Sequence, residues 1–581
     1  MNFLRLLPLL LAALVAAPSH ADSADRARVT ALADRFVTEF HKAFPVAYEY
    51  FGLPARQSDG TDVDINSPAE IARWHALMQS MAAELAAIRP EGFASEPEWV
   101  TWQFLNHAFR QDQATTACRN ELWSVSSFGW QSSLPQIATI QTVGTDETRA
   151  QALRRWRAFG PWIDQEIANL KEGQQLGYSA TDAATRSTLG QLDQMLAQPA
   201  GESALMNPAT RDKSPVFVAE WRTVIEGTVW PALTRYRDYL RDEYLPRARK
   251  SPSIDGMPNG RQCYRAQIFA VTTVDADPEA LFDIAVKEVE RERGIAVELG
   301  RKLYGERASD WKSLYELMRA DPQERFASPE EVRAYTQRTY ERAEAAAGRM
   351  VLTPPVGKVV LEPFPEFQQA SAPGGQYLPA ADDGSRPATY LYRNVIADLY
   401  RSSLQNVILH ETLPGHHLQL QFLAEHGRKG NHLVSRLLFF SGPGEGWATY
   451  SEGFARELGL YDSDRDYIGS QMGSITPMMV VDLGMQVKGW TPEQAIAYLQ
   501  EAMPLRPPQR AEQSVAVISS IPGFVLAYPL GGMKWDEMRK RAESALGAKF
   551  DVRAFHQVLL EDGMLPFDAL NAKLDRWIAG Q

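Results

Sequence analysis

The chain has 581 residues, 45% of them hydrophobic, with 60 Lys and Arg set against 72 Asp and Glu for a formal net charge of −12. That length exceeds the usual size of a single core, so two domains or one large two-lobed body are expected. The negative balance argues against binding to nucleic acid or anionic membrane, which needs a cationic surplus to displace counterions; peptides, sugars and other small solutes remain as ligands.

The N-terminus reads MNFLRLLPLLLAALVAAPSHADSA, with one cation at Arg5, an apolar run from Leu6 to Ala17 and small residues at Ser19 and Ala21. This predicts a signal peptide over residues 1–21, cleaved after Ala21, and a periplasmic or secreted product. The run is shorter than the roughly 20 residues that span hydrocarbon, and no lipid-accepting cysteine follows it, so no membrane attachment is expected after cleavage. Cys118 and Cys263 can form one disulfide in an oxidising compartment or remain two buried thiols. Neither lies in a C-x-x-C pair, which argues against a cysteine-ligated metal.

Residues 22–350 read mostly as helices. PAEIARWHALMQSMAAELAA, from Pro68 to Ala87, places Ile71, Trp74, Leu77, Met78 and Met81 at helical spacing. Pro278 to Leu303 repeats the pattern with a charged face of Lys287, Glu288, Glu290, Arg291 and Glu292, expected to be solvated. His41, His75 and His107 fall on helical segments and are expected to be packed or surface residues. From 351 to 581 the composition changes. Pro and Gly become frequent, with β-prone runs at Lys358 to Leu361 and Thr389 to Tyr392, then a helix from Val395 to Glu411. The two regions are expected to form one intertwined body.

Five of the ten histidines lie between His410 and His432, and three of them fall in LHETLPGHHLQ. Imidazole and carboxylate are the usual non-thiol ligands of zinc, and H-E followed by histidine resembles its H-E-x-x-H signature, but Pro414 stands where the second histidine belongs. A continuous helix would turn His416 about 120° from His410 and place His417 roughly 10 Å along the axis. Two histidines on one zinc need their nitrogens within about 3–4 Å of each other. Pro414 and Gly415 predict a helix break with a type II turn, which can fold His416 back into the second ligand position. His417 competes for that role.

In SGPGEGWATYSEGFAREL, Ser441 to Gly444 is expected as a loop, with Glu445 opening a helix whose apolar side carries Trp447, Tyr450 and Phe454. Glu445 is then a candidate third ligand, unless it merely answers the helix dipole. Three protein ligands leave a position for water, and Glu411, next to the first ligand, is placed to accept its proton. Glu452 suits support of a ligand histidine.

Read together, HETLPGHHLQ, GEGWATYSE, VVDLGMQVKGWTPEQAIAY and IPGFVLAYPLG resemble the bacterial family catalogued as domain of unknown function 885, itself similar to gluzincin-type zinc metallopeptidases. The resemblance implies a mainly α, two-lobed fold with a central cleft and a small β element before the zinc helix. It implies one zinc ion on His410, His416 and Glu445, with Glu411 as base and a peptide substrate. It also points to Asn394 as a substrate contact, in an extended strand that would line the cleft and pair with a substrate backbone, and to Tyr528 as a phenol near the metal. Gln486 stands where the family pattern leads one to expect a histidine, which leaves a catalytically decayed binding protein, or a zinc hydrolase of another amide or ester, as alternatives. Arg506, Arg510 and Arg539 are candidates for a substrate carboxylate without an assignment.

Overall fold

A computed structural model describes residues 20–581 apart from 51, 54–61, 95, 367, 368, 370–372, 383 and 385. The expected signal peptide therefore lies outside the described residues but for its last two, which begin the helix His20–Ala43. Helices dominate, and their ends follow local chemistry. Pro68–Ala86 starts on a capping box in which the Ser67 side chain accepts the Glu70 N–H while Glu70 reaches back to the Ser67 backbone. Pro278–Tyr304 starts with an Asp277 cap and stops at Gly305, whose φ of 62° leaves helical geometry. Its charged face is not uniformly solvated: Glu292 accepts the Thr476 hydroxyl at 2.7 Å, and burial pushes its carboxyl up to about 7.

Three hydrophobic cores hold the molecule. The largest joins N-terminal residues such as Val29, Phe36 and Phe104 to Ile408, Trp447, Trp535 and Phe555, so it draws on both sides of residue 350. A second gathers Tyr264 and Leu281 with Val480 and Leu526, and a third is built between residues 63 and 248 around Trp156 and Trp221. The thiols are resolved as a disulfide between Cys118 and Cys263. His41 and His107 are buried, and His75 pairs with Asp112 at 2.9 Å.

Three strands precede the histidine cluster: β1 (Val359–Pro363), β2 (Gly375–Leu378) and β3 (Ala388–Tyr392). Their order is β1-β3-β2, with β3 parallel to β1 and antiparallel to β2. β2 was not expected from sequence, because GGQYL is too short and glycine-rich to carry a strand signal. Its presence corrects the role given to β3. That strand is central, both its edges are already paired, and it cannot add a substrate backbone. The following helix runs from Arg401 to Glu411 rather than from Val395; a single 3₁₀ turn at Ile396–Asp398 and extended residues at Leu399 and Tyr400 come first. Among the described residues no single helix is long and apolar enough to cross a bilayer.

Candidate metal centre

The helix Arg401–Glu411 ends where Thr412 adopts φ −107° and ψ −111°, and a new helix, His416–His426, starts four residues later. The joint is not a type II turn, since Gly415 has φ −79° where that turn demands a positive value, and the Leu413–Pro414 peptide is cis. Glycine is needed there for space: a Cβ on Gly415 would lie 1.7 Å from the His410 carbonyl oxygen. The Trp447 indole donates to the Pro414 carbonyl at 3.1 Å and pins the joint to the helix Ser441–Glu457.

That helix also differs from expectation. Ser441-Gly-Pro-Gly is its first turn, not a loop, and Glu445 sits one turn in, beyond the amides that a dipole argument invokes. Proline is tolerated in a first turn because its missing N–H would be unpaired there anyway. The glycines let helices touch: a Cβ on Gly446 would meet the Cα of Gly531, in the helix Ala527–Leu546, at 2.5 Å.

The break and this close packing bring His410, His416 and Glu445 together, with one ligand atom of each within 4.8 Å of the others. Glu445 Oε2 lies 3.2 Å from His416 Nε2 and 3.7 Å from His410 Nε2. Tetrahedral ligands on bonds of about 2.1 Å stand about 3.4 Å apart, so these separations suit a shared cation. Each ring is held from behind. Glu452 Oε1 lies 2.8 Å from His410 Nδ1, and Gln419 Oε1 lies 3.0 Å from His416 Nδ1. Both Nε2 atoms are thereby turned toward Glu445. Glu452 is itself fixed by the Asn406 amide at 2.9 Å, and Asn406 accepts the Tyr461 hydroxyl at 2.5 Å.

His417 is excluded from this point. Its Nδ1 contacts the Tyr377 hydroxyl at 3.1 Å and its Nε2 the Gly357 carbonyl at 3.0 Å, and burial drives its pKa down to about 4. The neighbouring histidines differ in direction: His416 faces Glu445 and His417 faces the sheet.

Charge in the cluster is strongly coupled. Burial opposes a proton on His410, but hydrogen bonding to Glu445 and Glu452 outweighs it and raises the imidazole to about 10. His416 is raised too, by Glu445 against the same burial. Burial would raise Glu445, yet the two imidazoles bring it down to about 2. Positive charge on the two imidazoles and negative charge on Glu445 thus stabilise each other. Glu411 is raised by burial, with opposing help to its anion from His416, His410 and the Tyr377 backbone N–H. That N–H lies on β2, which therefore runs beside Glu411.

Tyr528 stacks on His410 with ring centroids 6.2 Å apart and planes at 21°. Burial, then Glu445 and Glu411, push its phenol well above the usual range and keep it protonated. The Asn394 backbone N–H donates to Gln369 Oε1 at 3.0 Å. Gln486 is elsewhere. Its amide accepts the Ile254 N–H at 2.9 Å and donates to the Pro252 carbonyl at 3.2 Å, so it ties a loop and makes no contact with the cluster. Arg539 is occupied by Glu457 and Glu543. Gln419 and Asn406 were missed in the sequence, although their spacing, three residues after His416 and four before His410, puts each on its ligand's helical face.

Residues 45–574 match the family described as bacterial protein of unknown function (DUF885), and the chain belongs to it. The fold is similar to the crystal structure of a putative lipoprotein from Colwellia psychrerythraea, with a TM-score of 0.88 at 21% identity over 96% of this chain and 100% of that one. A putative lipoprotein of unknown function from Shewanella oneidensis is similar with a TM-score of 0.70 at 18% identity, over 94% of this chain and 98% of that one. No curated protein matches the chain.

Proposed function

We propose that this chain is an exported zinc-dependent metallopeptidase, similar to the gluzincin type, that hydrolyses peptide bonds of small peptides. The observation that carries this reading is the convergence of His410, His416 and Glu445 beside Glu411. The donor set fits zinc: two imidazole Nε2 atoms and one carboxylate oxygen, with both Nδ1 atoms already engaged. His410, His416 and Glu445 would hold the zinc ion, which would supply a Lewis acid and lower the pKa of a bound water.

The protein's own groups then have defined tasks. Glu411, made more basic by burial, takes a proton from the attacking water and passes it to the departing amine. Tyr528 keeps its proton and donates a hydrogen bond to the carbonyl oxygen as charge develops on it. β2 is an edge strand next to Glu411, so a substrate backbone can add to it, which is the role expected earlier of the Asn394 strand. Export is supported by the N-terminal sequence, by the disulfide, and by the lipoprotein titles of the two similar structures. Both cysteines are used in the disulfide, so neither is free to carry a lipid.

The test is metal analysis of the purified protein followed by digestion of a peptide library, with Glu411→Gln as control. The expected result is about one zinc per chain, cleavage by the parent, and a Glu411→Gln variant that keeps zinc but does not turn over. Absence of zinc, or full activity of Glu411→Gln, overturns the reading. Zinc with hydrolysis confined to esters or non-peptide amides moves it to a different hydrolase.

A further inference from the structure

A buried carboxylate lies behind the turn that leads into Tyr528. Asp482, in the helix Thr476–Val487, is fully buried. Its Oδ2 accepts the N–H of Gly523 at 2.7 Å, and its Oδ1 accepts the Tyr264 hydroxyl at 2.8 Å. No Lys, Arg or His pairs with it among the described residues; the groups that face it are an amide and a phenol. Its two carboxyl oxygens meet these two partners at once, one oxygen to each. Burying such a polar group without a cation is costly, and its two hydrogen bonds tie the helix Thr476–Val487 to Gly523 and Tyr264.

What they fix is the turn before the site. Gly523 has φ 86° and ψ −16°, a conformation that favours glycine, and it lies between the helix Pro508–Ser520 and the 3₁₀ turn Phe524–Leu526. That turn runs directly into the helix beginning at Ala527, so helical backbone links Gly523 to Tyr528 with no flexible joint. The Phe524 ring packs edge-on to Tyr528 at 6.1 Å, and Tyr528 lies over His410. A displacement at Gly523 is carried to the phenol.

We infer that Asp482 is a positioning residue for Tyr528: by clamping the Gly523 amide it sets where the phenol stands over the His410 ring. The inference rests on the metallopeptidase reading, and it gives the VVDLG segment a part in the site although no residue of it meets the cluster.

The test compares the parent with Asp482→Asn, Tyr528→Phe and the double variant, all in the full-length protein. In the zinc-loaded form Asp482→Asn is expected to lower kcat on the order of 10- to 100-fold, with KM and zinc content unchanged. The double variant is expected to be no slower than Tyr528→Phe alone, because both changes remove the same contribution. Losses that multiply would overturn the inference. Amide hydrogen exchange on metal-free protein supplies a readout independent of activity. In Asp482→Asn, residues 521–528 should exchange faster while 401–426 stay as protected as in the parent. Unchanged exchange over 521–528 sinks the proposal. If the aspartate variant does not fold, Tyr264→Phe removes one of the two clamps, and the same exchange pattern in it decides the matter. Failure of the parent to bind zinc or cleave peptides would count against the metallopeptidase reading alone, since the exchange result stands apart from it.

Discussion

Glu452 Oε1 sits 2.8 Å from His410 Nδ1, so the carboxylate of one helix determines which nitrogen of a ring on another faces Glu445. With a metal in place of the second proton, the contact would keep the remaining proton on Nδ1 and leave Nε2 to the metal. Glu452→Gln keeps the shape but offers a weaker, neutral acceptor. Zinc affinity measured by chelator competition should fall about 10- to 100-fold, the range usual for loss of such outer partners. An unchanged affinity would mean that His410 is oriented by packing alone.

The two neighbouring histidines make a sharper comparison. His416→Ala should abolish stoichiometric zinc, because it removes a ligand that lies 3.2 Å from Glu445. His417→Ala should leave zinc bound and instead lower stability by about 1–3 kcal/mol, the cost of leaving the buried Tyr377 hydroxyl and Gly357 carbonyl short of a partner. Metal content and urea unfolding of the two variants separate the effects. Zinc loss in His417→Ala with His416→Ala intact would reverse the ligand assignment.

Close packing of the helices 441–457 and 527–546 is what brings Glu445 and Tyr528 to one place. Gly446→Ala puts a methyl group 2.5 Å from the Cα and carbonyl carbon of Gly531, backbone atoms that cannot swing aside. Overpacking of this kind costs about 1–3 kcal/mol. We expect Gly446→Ala to lower both thermal stability and zinc affinity, whereas Gly453→Ala, on the same helix with nothing near its Cβ, should change neither zinc binding nor turnover. Equal behaviour of the two variants would show that the contact is not needed.

The convergence of His410, His416 and Glu445 is legible in sequence because imidazole and carboxylate are few and clustered there and because Pro-Gly marks a break that lets His416 fold back. The fold class was legible from periodicity. Other features were hidden for physical reasons. Ser441-Gly-Pro-Gly reads as a loop by local propensity, yet Gly442 is forced against Thr272, where a Cβ would lie 2.4 Å from its carbonyl oxygen, and tertiary contact holds the segment helical. The choice of His416 over His417 depends on where the sheet lies, and no local pattern announces that. The edge strand Gly375–Leu378 is defined only by its pairing with β3. Gln486 stands where a histidine is expected, and that its amide is occupied by the backbone of residues 252 and 254 depends on a loop distant in sequence.

Buried acids predict how stability responds to pH. Burial raises Asp482, Glu166 and Glu292 to about 7 and Asp64 to about 6, against ordinary values of 3.8 for Asp and 4.5 for Glu. Each is therefore protonated in the folded chain over a range where the unfolded chain has already released the proton. Fewer protons bound on unfolding means that their contribution to stability is complete below about pH 4 and is lost as pH rises toward 7, after which it levels. Asp482→Asn removes one such group without changing its size. Unfolding free energies of parent and variant, taken by urea titration from pH 4 to 8, should diverge in the variant's favour across the lower part of that range. The slope is about 1.4 kcal/mol per pH unit for one proton. A constant offset between the two curves, set only by the lost hydrogen bonds to Gly523 and Tyr264, would mean that Asp482 is ionised throughout and that burial does not govern it.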